Sequence, residues 1–402
     1  SITNIGLKIP DVHKYLRGAK GTKVKVQIAR RGVEKPLEFT ITRDRIPIYS
    51  IDATYMAQQG VGYIKVNRFA ATTDQEFSDA MEKLSKQKMK DVIIDLRNNG
   101  GGLLNVAYEM ANHFFEAGKL IVYTEGRNSP RTNFFSDSKG QLFKGRVIIL
   151  IDEGSASASE ILSGALQDWD RGIIVGRRSF GKGLVQNQLP LPDGSMIRLT
   201  VAKYFTPTGR AIQRPYNNGN IEKYYSELND RYTKGELFNL DSIHMPDSLK
   251  YKTLSKGKIV YGGGGIMPDV FVPLDTSFYS DYYGKLVRSG LINQFTLSWV
   301  DSNRKQLLAD YPKFDKFKKN FQVTDAMLEE IVAMGEKQKI ARNDEGLKHS
   351  SNELKKQIKG LIAQSLFTTS HYFEVTNEDN DALLKALEIL NNWDKYKHLV
   401  KE

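Results

Sequence analysis

Short apolar runs alternate with amphipathic helical patterns through the first half of the chain. Mainly apolar runs occupy residues 61–66, 92–96, 147–151 and 173–175, which is typical of strands buried on both faces. Between these runs, apolar residues recur every three or four positions, as they do on one face of a helix. The alternation predicts an α/β fold, with a mixed or parallel sheet and covering helices.

The start of the chain has a different pattern. A helical stretch over residues 10–18 precedes two segments, 24–28 and 37–41, in which apolar and polar residues alternate as they do in half-buried strands. Arg31 and Gly32 lie at the expected turn between these strands. We therefore expect a small unit of one helix and two strands over residues 1–45.

Glycine becomes rare and the pattern becomes helical after residue 276. Polar clusters predict three helix starts; they lie at Thr324 with Asp325, at residues 350–353, and at Glu378 with Asp379. We expect a mainly helical C-terminal region over residues 277–402 that either packs on the core or makes an oligomer interface. The α/β core would then occupy residues 46–276, with a charged, tyrosine-rich insertion at 217–256.

Two shorter segments complete the pattern. Residues 127–145 are polar and rich in turn formers, so we expect a surface loop there, near the substrate path. Residues 192–195, Pro-Asp-Gly-Ser, predict a hairpin turn between residues 189–191 and 196–201.

Composition excludes several classes of function. The 402 residues carry a net charge of +11, but lysine and arginine are scattered, and we expect no nucleic-acid binding. The absence of cysteine excludes thiol catalysis, disulfides and cysteine-ligated metal. The histidines and carboxylates show no metal-binding spacing, so we expect no metal or other cofactor. No apolar run approaches the roughly 18 to 20 residues that a membrane span requires.

A candidate nucleophile and a candidate base lie in the second half of the core. Ser157 follows the strand at 147–151 and precedes a helical pattern, so its hydroxyl would stand beside the outward-pointing N–H groups of a helix start. Lys182 lies between two glycines after the strand at 173–175. A lysine can act as a general base where burial disfavours its charged form. Taken alone, these residues fit a small-residue helix start and a surface turn equally well.

Three consecutive glycines, Gly100 to Gly102, lie at another strand-to-helix turn. Such a turn can hold a phosphate, which makes a nucleotide site the competing interpretation. The segment lacks the G-x-G-x-x-G spacing, and no Gly-Lys-Ser/Thr follows it. A nucleotide site is therefore poorly supported.

Several motifs in the same order resemble the C-terminal processing peptidases, also called tail-specific proteases. They are Gly-Ser-Ala-Ser-Ala-Ser-Glu-Ile at 154–161, Asp-Arg-Gly at 170–172 and Phe-Gly-Lys-Gly-x-x-Gln at 180–186. The resemblance implies a serine endopeptidase with a crotonase-like mixed α/β core. It also implies roles for six residues: Ser157 as nucleophile, Lys182 as general base, Gln186 orienting the lysine, and N–H groups of Gly101 or Gly102 and of Ala158 forming the oxyanion hole.

The resemblance extends to the rest of the chain. Residues 1–45 are similar to the C-terminal half of a PDZ domain, whose carboxylate-binding loop and receiving strand we expect upstream of Ser1. Substrates would be proteins or peptides with unstructured, apolar C-terminal tails. The family implies a bacterial periplasm or cell envelope, a signal or anchor segment upstream that could attach the protein to a membrane, and a homo-oligomer as one use of the helical region.

Other interpretations remain. A non-catalytic PDZ-bearing peptide-binding protein would not need Ser157, Lys182 and Gln186, which are all present. A crotonase-like thioester enzyme would need an acyl-CoA signature, and none is recognised. A Ser-His-Asp hydrolase could use His113, but the chain lacks a G-x-S-x-G elbow. Glu160 follows the serine by one helical turn, and pairing it with Lys182 would favour the ammonium form; we therefore expect it to support the helix start.

Overall fold

The structure is a computed structural model, and the residues that it describes are 9–29, 34–46, 48–137, 142–216 and 221–401. The chain divides into two compact units, Ser1–Tyr49 and Ser50–Glu402. No helix among the described residues combines the length and the apolar character needed to cross a membrane.

The first unit contains the predicted helix and two strands. They are α1 (Ile9–Leu16), β1 (Lys23–Ile28) and β2 (Leu37–Thr42). The strands pair antiparallel, with Val24 opposite Ile41, and the Arg43 guanidinium donates a hydrogen bond to the Leu16 carbonyl at 2.7 Å. The expected turn at Arg31 and Gly32 lies outside the described residues.

The second unit contains the remaining elements. Its strands are β3 (Ile51–Gln58), β4 (Val61–Val66), β5 (Asp91–Asp95), β6 (Leu120–Gly126), β7 (Ser129–Phe135), β8 (Val147–Ile151), β9 (Ile173–Gly176), β10 (Leu184–Pro190), β11 (Met196–Phe205), β12 (Lys250–Lys252), β13 (Ile259–Tyr261) and β14 (Val270–Phe271). Its helices are α2 (Thr73–Lys86), α3 (Leu104–Asn112), α4 (Ala158–Asp168), α5 (Ile221–Thr233), α6 (Asp281–Arg288), α7 (Leu291–Asp310), α8 (Phe314–Asn320), α9 (Asp325–Lys337), α10 (Asp344–Leu366), α11 (Thr369–Thr376), α12 (Asp381–Asn391) and α13 (Trp393–Tyr396).

A six-stranded sheet forms the centre of this unit. Its strand order is β14-β9-β8-β5-β4-β3, and every neighbouring pair is parallel except β3 with β4. After β4, the strands β5, β8, β9 and β14 are each added on the same side of the previous one, so right-handed crossovers place α2, α3 and α4 on one face. Val92 and Ile94 of β5 pack there against Phe77 of α2.

The C-terminal region covers the opposite face of the sheet. Ile93, Ile148 and Leu150 pack there in a cluster with Leu383 and Ala386 of α12. The sheet is therefore buried on both faces, which explains why its strands are apolar at consecutive positions instead of alternating. Of the two uses expected for the helical region, packing on the core is confirmed.

A second, antiparallel sheet has the order β10-β11-β6-β7. The predicted hairpin is confirmed, since β10 and β11 pair antiparallel and flank residues 192–195. The prediction of a surface loop over residues 127–145 is wrong in part, because β7 pairs with β6 within it. Most side chains of β7 are exposed, so the strand carries polar residues that resemble a loop. Residues 138–141 of that segment lie outside the described chain.

Helices α6 to α11 enclose their own apolar core. Of the predicted helix starts, Thr324 is confirmed as the cap of α9. The start predicted at residues 350–353 is wrong: Ser350 is buried inside α10, where its hydroxyl donates to the Phe278 carbonyl at 2.7 Å. The third helix begins slightly later than predicted, with Asn380 as the cap of α12.

Candidate active site

Two turns meet at the carboxyl edge of the central sheet. Residues 97–102 follow β5, and residues 152–157 follow β8, its parallel neighbour. The carboxyl ends of parallel strands lie at one edge, so the two turns are adjacent. The Asn99 carbonyl joins them, because it accepts hydrogen bonds from the Ala156 N–H at 3.0 Å and the Ser159 hydroxyl at 2.8 Å.

Ser157 has a strained backbone at the start of α4. Its φ is 57° and its ψ is −113°, outside the regions that non-glycine residues usually occupy. Backbone strain of this kind costs about 1 to 3 kcal/mol and persists where the surroundings enforce it. A G-x-S-x-G motif would have predicted a strained turn at the serine, and the sequence lacks that motif. The Ser157 backbone is strained nevertheless.

Glu160 enforces the Ser157 backbone and reaches the lysine loop as well. Its Oε2 accepts hydrogen bonds from the backbone N–H groups of Ser157 at 2.8 Å and Lys182 at 2.9 Å. Its Oε1 accepts from the Gly181 N–H at 2.6 Å and the Ser179 hydroxyl at 2.5 Å. Burial raises the pKa of Glu160 above its ordinary value, although these four hydrogen bonds favour the carboxylate. Glu160 thus supports the helix start, as expected, and it also contacts the Lys182 backbone.

Tyr204 makes the complementary contacts to the same two residues. Its hydroxyl donates to the Ser157 carbonyl at 3.1 Å and also contacts the Lys182 carbonyl. The tyrosine is 1% exposed, and burial raises its pKa well above the ordinary value. Nothing in the sequence near Tyr204 signals this role. The Glu160 contact, in contrast, follows from the Ser-x-x-Glu spacing of a capping box.

One cavity of about 640 Å³ brings together the side chains of the predicted site. It is lined by Ser157, Lys182, Gln186, Gly101 and Gly102, and Ala158 follows Ser157 directly in the chain. The Gln186 amide donates to the Thr200 hydroxyl at 3.4 Å, on the β10–β11 ribbon. Among the described residues, no hydrogen bond joins the Lys182 ammonium group to Ser157 Oγ or to Gln186. Catalytic hydrogen bonds are often long in a free enzyme and tighten when substrate binds.

The N–H groups of the glycine turn differ in their hydrogen bonding. The Gly101 N–H already donates to the Asn99 side-chain oxygen at 2.9 Å. The N–H groups of Gly102 and Ala158 have no hydrogen-bond partner in the part of the chain that the structure describes. Unpaired N–H groups beside a serine hydroxyl are the donors that an oxyanion hole requires. The Gly101 N–H is therefore already paired, whereas the Gly102 N–H is available to a ligand.

His113 lies in a different cavity, lined also by Asp74 and Ser78. Its Nε2 lies 3.0 Å from Asp74 Oδ1 and 3.5 Å from Ser78 Oγ. In a Ser-His-Asp triad, the serine and the carboxylate contact opposite nitrogens of the imidazole. Both partners contact the same nitrogen here, so this cluster does not form such a triad.

Comparison with known proteins finds similar sequences for part of the chain. Residues 60–222 match the family model described as Peptidase family S41, and residues 282–368 match a family of unknown function, DUF8443. The carboxyl-terminal-processing protease of Synechocystis sp. is 38% identical over 211 residues, which cover 52% of this chain and 49% of that protein. Carboxy-terminal processing protease CtpB of Bacillus subtilis is 38% identical over 201 residues, covering 50% of this chain and 42% of CtpB.

Among solved structures, a photosystem II D1 C-terminal processing protease matches with 32% identity and a TM-score of 0.37. That match covers 52% of this chain and 57% of the other. The chain spans about half the length of the curated relatives it matches. Residues 60–222 therefore match peptidase family S41, and this part of the chain is similar to the carboxyl-terminal processing proteases.

Proposed function

We propose that this protein is a serine endopeptidase in which Ser157 is the nucleophile and Lys182 the general base. The observation that carries the proposal is the shared cavity: both side chains line it, beside the unpaired N–H groups of Gly102 and Ala158. An activated serine, a base and two oxyanion donors are the parts that peptide-bond cleavage by acyl transfer requires.

Each part has a defined step. The neutral amine of Lys182 takes the proton from the Ser157 hydroxyl as the oxygen attacks the scissile carbonyl. The N–H groups of Gly102 and Ala158 hold the resulting oxyanion, and Lys182 then gives its proton to the leaving amine. A water molecule that the same lysine deprotonates hydrolyses the acyl-enzyme.

Gln186 is proposed to orient the Lys182 amine. Its position on β10, four residues after the lysine, places it on the wall of the same cavity. The Gln186 Oε1 would accept a hydrogen bond from the lysine, a role separate from the 3.4 Å hydrogen bond that Nε2 donates to Thr200. Binding of substrate along the cavity is the event that we propose to bring the amide to the lysine.

The substrates that we propose are proteins with unstructured, apolar C-terminal tails. The names of the relatives support processing at carboxyl termini. The helix and two strands of the first unit support its proposed role as half of a PDZ domain that captures the tail. On this proposal, the tail-binding part is residues 1–45 and the catalytic part is residues 46–276. The remaining residues, 277–402, form the helical region. The protein would act in a bacterial periplasm or cell envelope, membrane-attached through an upstream segment, and could assemble as a homo-oligomer.

Digestion of an unfolded protein, followed by mass spectrometry of the fragments, tests the proposal. The wild-type protein should produce internal cleavages, and Ser157→Ala should produce none. Ser163→Ala is the matched control, since this buried serine lies on the same helix and its hydroxyl bonds, among the residues that the structure describes, only to the Ser159 carbonyl. A wild-type protein that binds the substrate without cutting it would favour a peptide-binding protein. Turnover by Ser157→Ala would exclude the nucleophile assignment.

A further inference from the structure

We propose that Glu160 and Tyr204 are positioning residues that hold the Ser157 turn and the Lys182 loop in register for the reaction. This inference rests on the proposed function, because it concerns the same serine and lysine. Neither side chain is proposed to act as the nucleophile or the base. Each acts through the backbone of the two residues that do.

The two side chains contact the backbone on both sides of the Ser157 Cα and the Lys182 Cα. Glu160 accepts from the N–H groups of Ser157 and Lys182 through a single oxygen. The Tyr204 hydroxyl contacts the carbonyl groups of the same two residues. The N–H and the carbonyl of each residue flank its Cα, so the direction in which the side chain leaves the backbone is fixed on both sides.

Ser157 and Lys182 lie on different elements, so contacts within one element cannot fix the distance between them. Ser157 stands at the start of α4, whereas Lys182 lies in the connection between β9 and β10. Their relative position therefore depends on contacts between elements. Glu160 comes from α4 and Tyr204 from β11, and both side chains are almost completely buried.

Further hydrogen bonds fix the lysine loop on either side of Lys182. The Ser179 hydroxyl donates to Glu160 and accepts from the Ile266 N–H at 2.6 Å. The Tyr204 N–H donates to the Gly183 carbonyl at 3.0 Å. The loop is consequently anchored before, at and after the lysine, and Glu160 and Tyr204 each provide one of the anchors at the lysine.

Small displacements matter for this chemistry. A misplacement of about 1 Å between reacting groups can lower a rate by about 100-fold. Tyr204→Phe removes the hydroxyl and keeps the ring, and Glu160→Gln replaces one acceptor oxygen with an NH2 group that can only donate. Both changes should let the Ser157 turn and the Lys182 loop separate, while the Tyr204 ring that lines the cavity is kept.

The test combines kinetics on an unstructured peptide with hydrogen exchange measured by mass spectrometry. Tyr204→Phe and Glu160→Gln should lower kcat by at least about tenfold and leave KM within about threefold. Hydrogen exchange should rise in the peptides that contain Ser157 and Lys182 and stay unchanged in those from α2 and α3. Tyr63→Phe is the matched control, because it removes another fully buried tyrosine hydroxyl. That hydroxyl is bonded to Asp95 at 2.6 Å on the central sheet, whereas Tyr204 lies on the second sheet.

A kcat for Tyr204→Phe within about threefold of the wild-type value would overturn the inference. It would also be overturned if Tyr204→Phe and Tyr63→Phe lowered kcat equally and both raised hydrogen exchange throughout the chain. The exchange measurement does not depend on activity. If the wild-type protein cleaves nothing, the proposed function fails, while local exchange still decides whether the two residues hold the loops together. If Ser157→Ala abolishes cleavage and Tyr204→Phe does not, only the positioning role fails.

Discussion

Gly101 lies against Ser157 so closely that a Cβ at Gly101 would stand 2.7 Å from Ser157 Cβ. It would also stand 2.6 Å from the Ala156 carbonyl oxygen, and the φ of 94° at Gly101 is one that other residues rarely adopt. The glycine turn thus owes its place beside the serine to the missing side chain.

Gly101→Ala should therefore displace the serine turn and lower kcat/KM for peptide cleavage by about 100-fold. Gly100→Ala is the matched control, since a Cβ at Gly100 would meet nothing within 4 Å. We expect that variant to keep about half of the wild-type rate or more. Equal effects of the two substitutions would mean that the turn contributes only general rigidity.

Helix α12 should contribute to the stability of the catalytic core because it covers one face of the central sheet. Leu383 is 4% exposed in that cluster, whereas its neighbour Leu384 is 46% exposed. Leu383→Ala should lower the free energy of unfolding in urea by about 2 to 5 kcal/mol. Leu384→Ala should change it by about 0.5 kcal/mol or less. Similar losses for both would show that α12 does not pack on the sheet in solution.

Asp95 should make the fold sensitive to acid. Burial acts to raise the pKa of Asp95, but the charges of Arg97 and Lys65 and the hydrogen bonds from Arg97 and Tyr63 outweigh it, and the pKa lies well below 3.8. A carboxylate with a lowered pKa in the fold stabilises it at a pH above the unfolded value, and that contribution is lost as the pH falls towards the folded value.

The free energy of unfolding should accordingly fall below about pH 4. Asp95→Asn should be less stable by about 3 to 5 kcal/mol at pH 7, because it leaves Arg97 and Lys65 without their buried partner. The difference between wild type and variant should shrink as the pH is lowered through that range. If the difference in free energy of unfolding stayed constant from pH 7 to pH 2, the negative charge of Asp95 would not be the source of its stabilising effect.

Glu160 should respond to pH in the opposite sense. Its pKa is raised by burial, so the folded chain binds this proton more tightly than the unfolded chain does, and the stability linked to protonation is lost as the pH rises through the folded pKa. Lowering the pH from 7 towards 4.5 should therefore stabilise the wild-type protein relative to Glu160→Gln. Urea unfolding of both proteins across that range measures the effect, and a change of the opposite sign would contradict the assignment of the shift to burial.

The elements that could be predicted are those whose residues are buried in a repeating way. The strands β5 and β8 carry apolar residues at consecutive positions because helices cover both faces of the sheet. The strand β7 was missed because its side chains are mostly exposed and carry no such signal. Ser350 looked like a helix cap, since a serine at that spacing usually is one, but its hydroxyl serves the Phe278 carbonyl from inside a helix.

The candidate site divides in the same way. Ser157 and Lys182 were identified through short motifs that resemble a family, and their common cavity agrees with that identification. The choice between Gly101 and Gly102 depends on where the Asn99 side chain points, which no motif specifies. Tyr204 reaches the site from a distant strand, so only the fold could place it beside Ser157.

Replacing Lys182 with arginine separates proton transfer from charge. Arginine keeps the positive charge and stays protonated in proteins, so it cannot accept the proton of the Ser157 hydroxyl. The decisive measurement is the rate at which Lys182→Arg cleaves an unstructured peptide, with Ser157→Ala as the background and circular dichroism to verify folding. The Ser-Lys mechanism predicts a folded variant with no cleavage above that background. Cleavage by Lys182→Arg within about tenfold of the wild-type rate would contradict it.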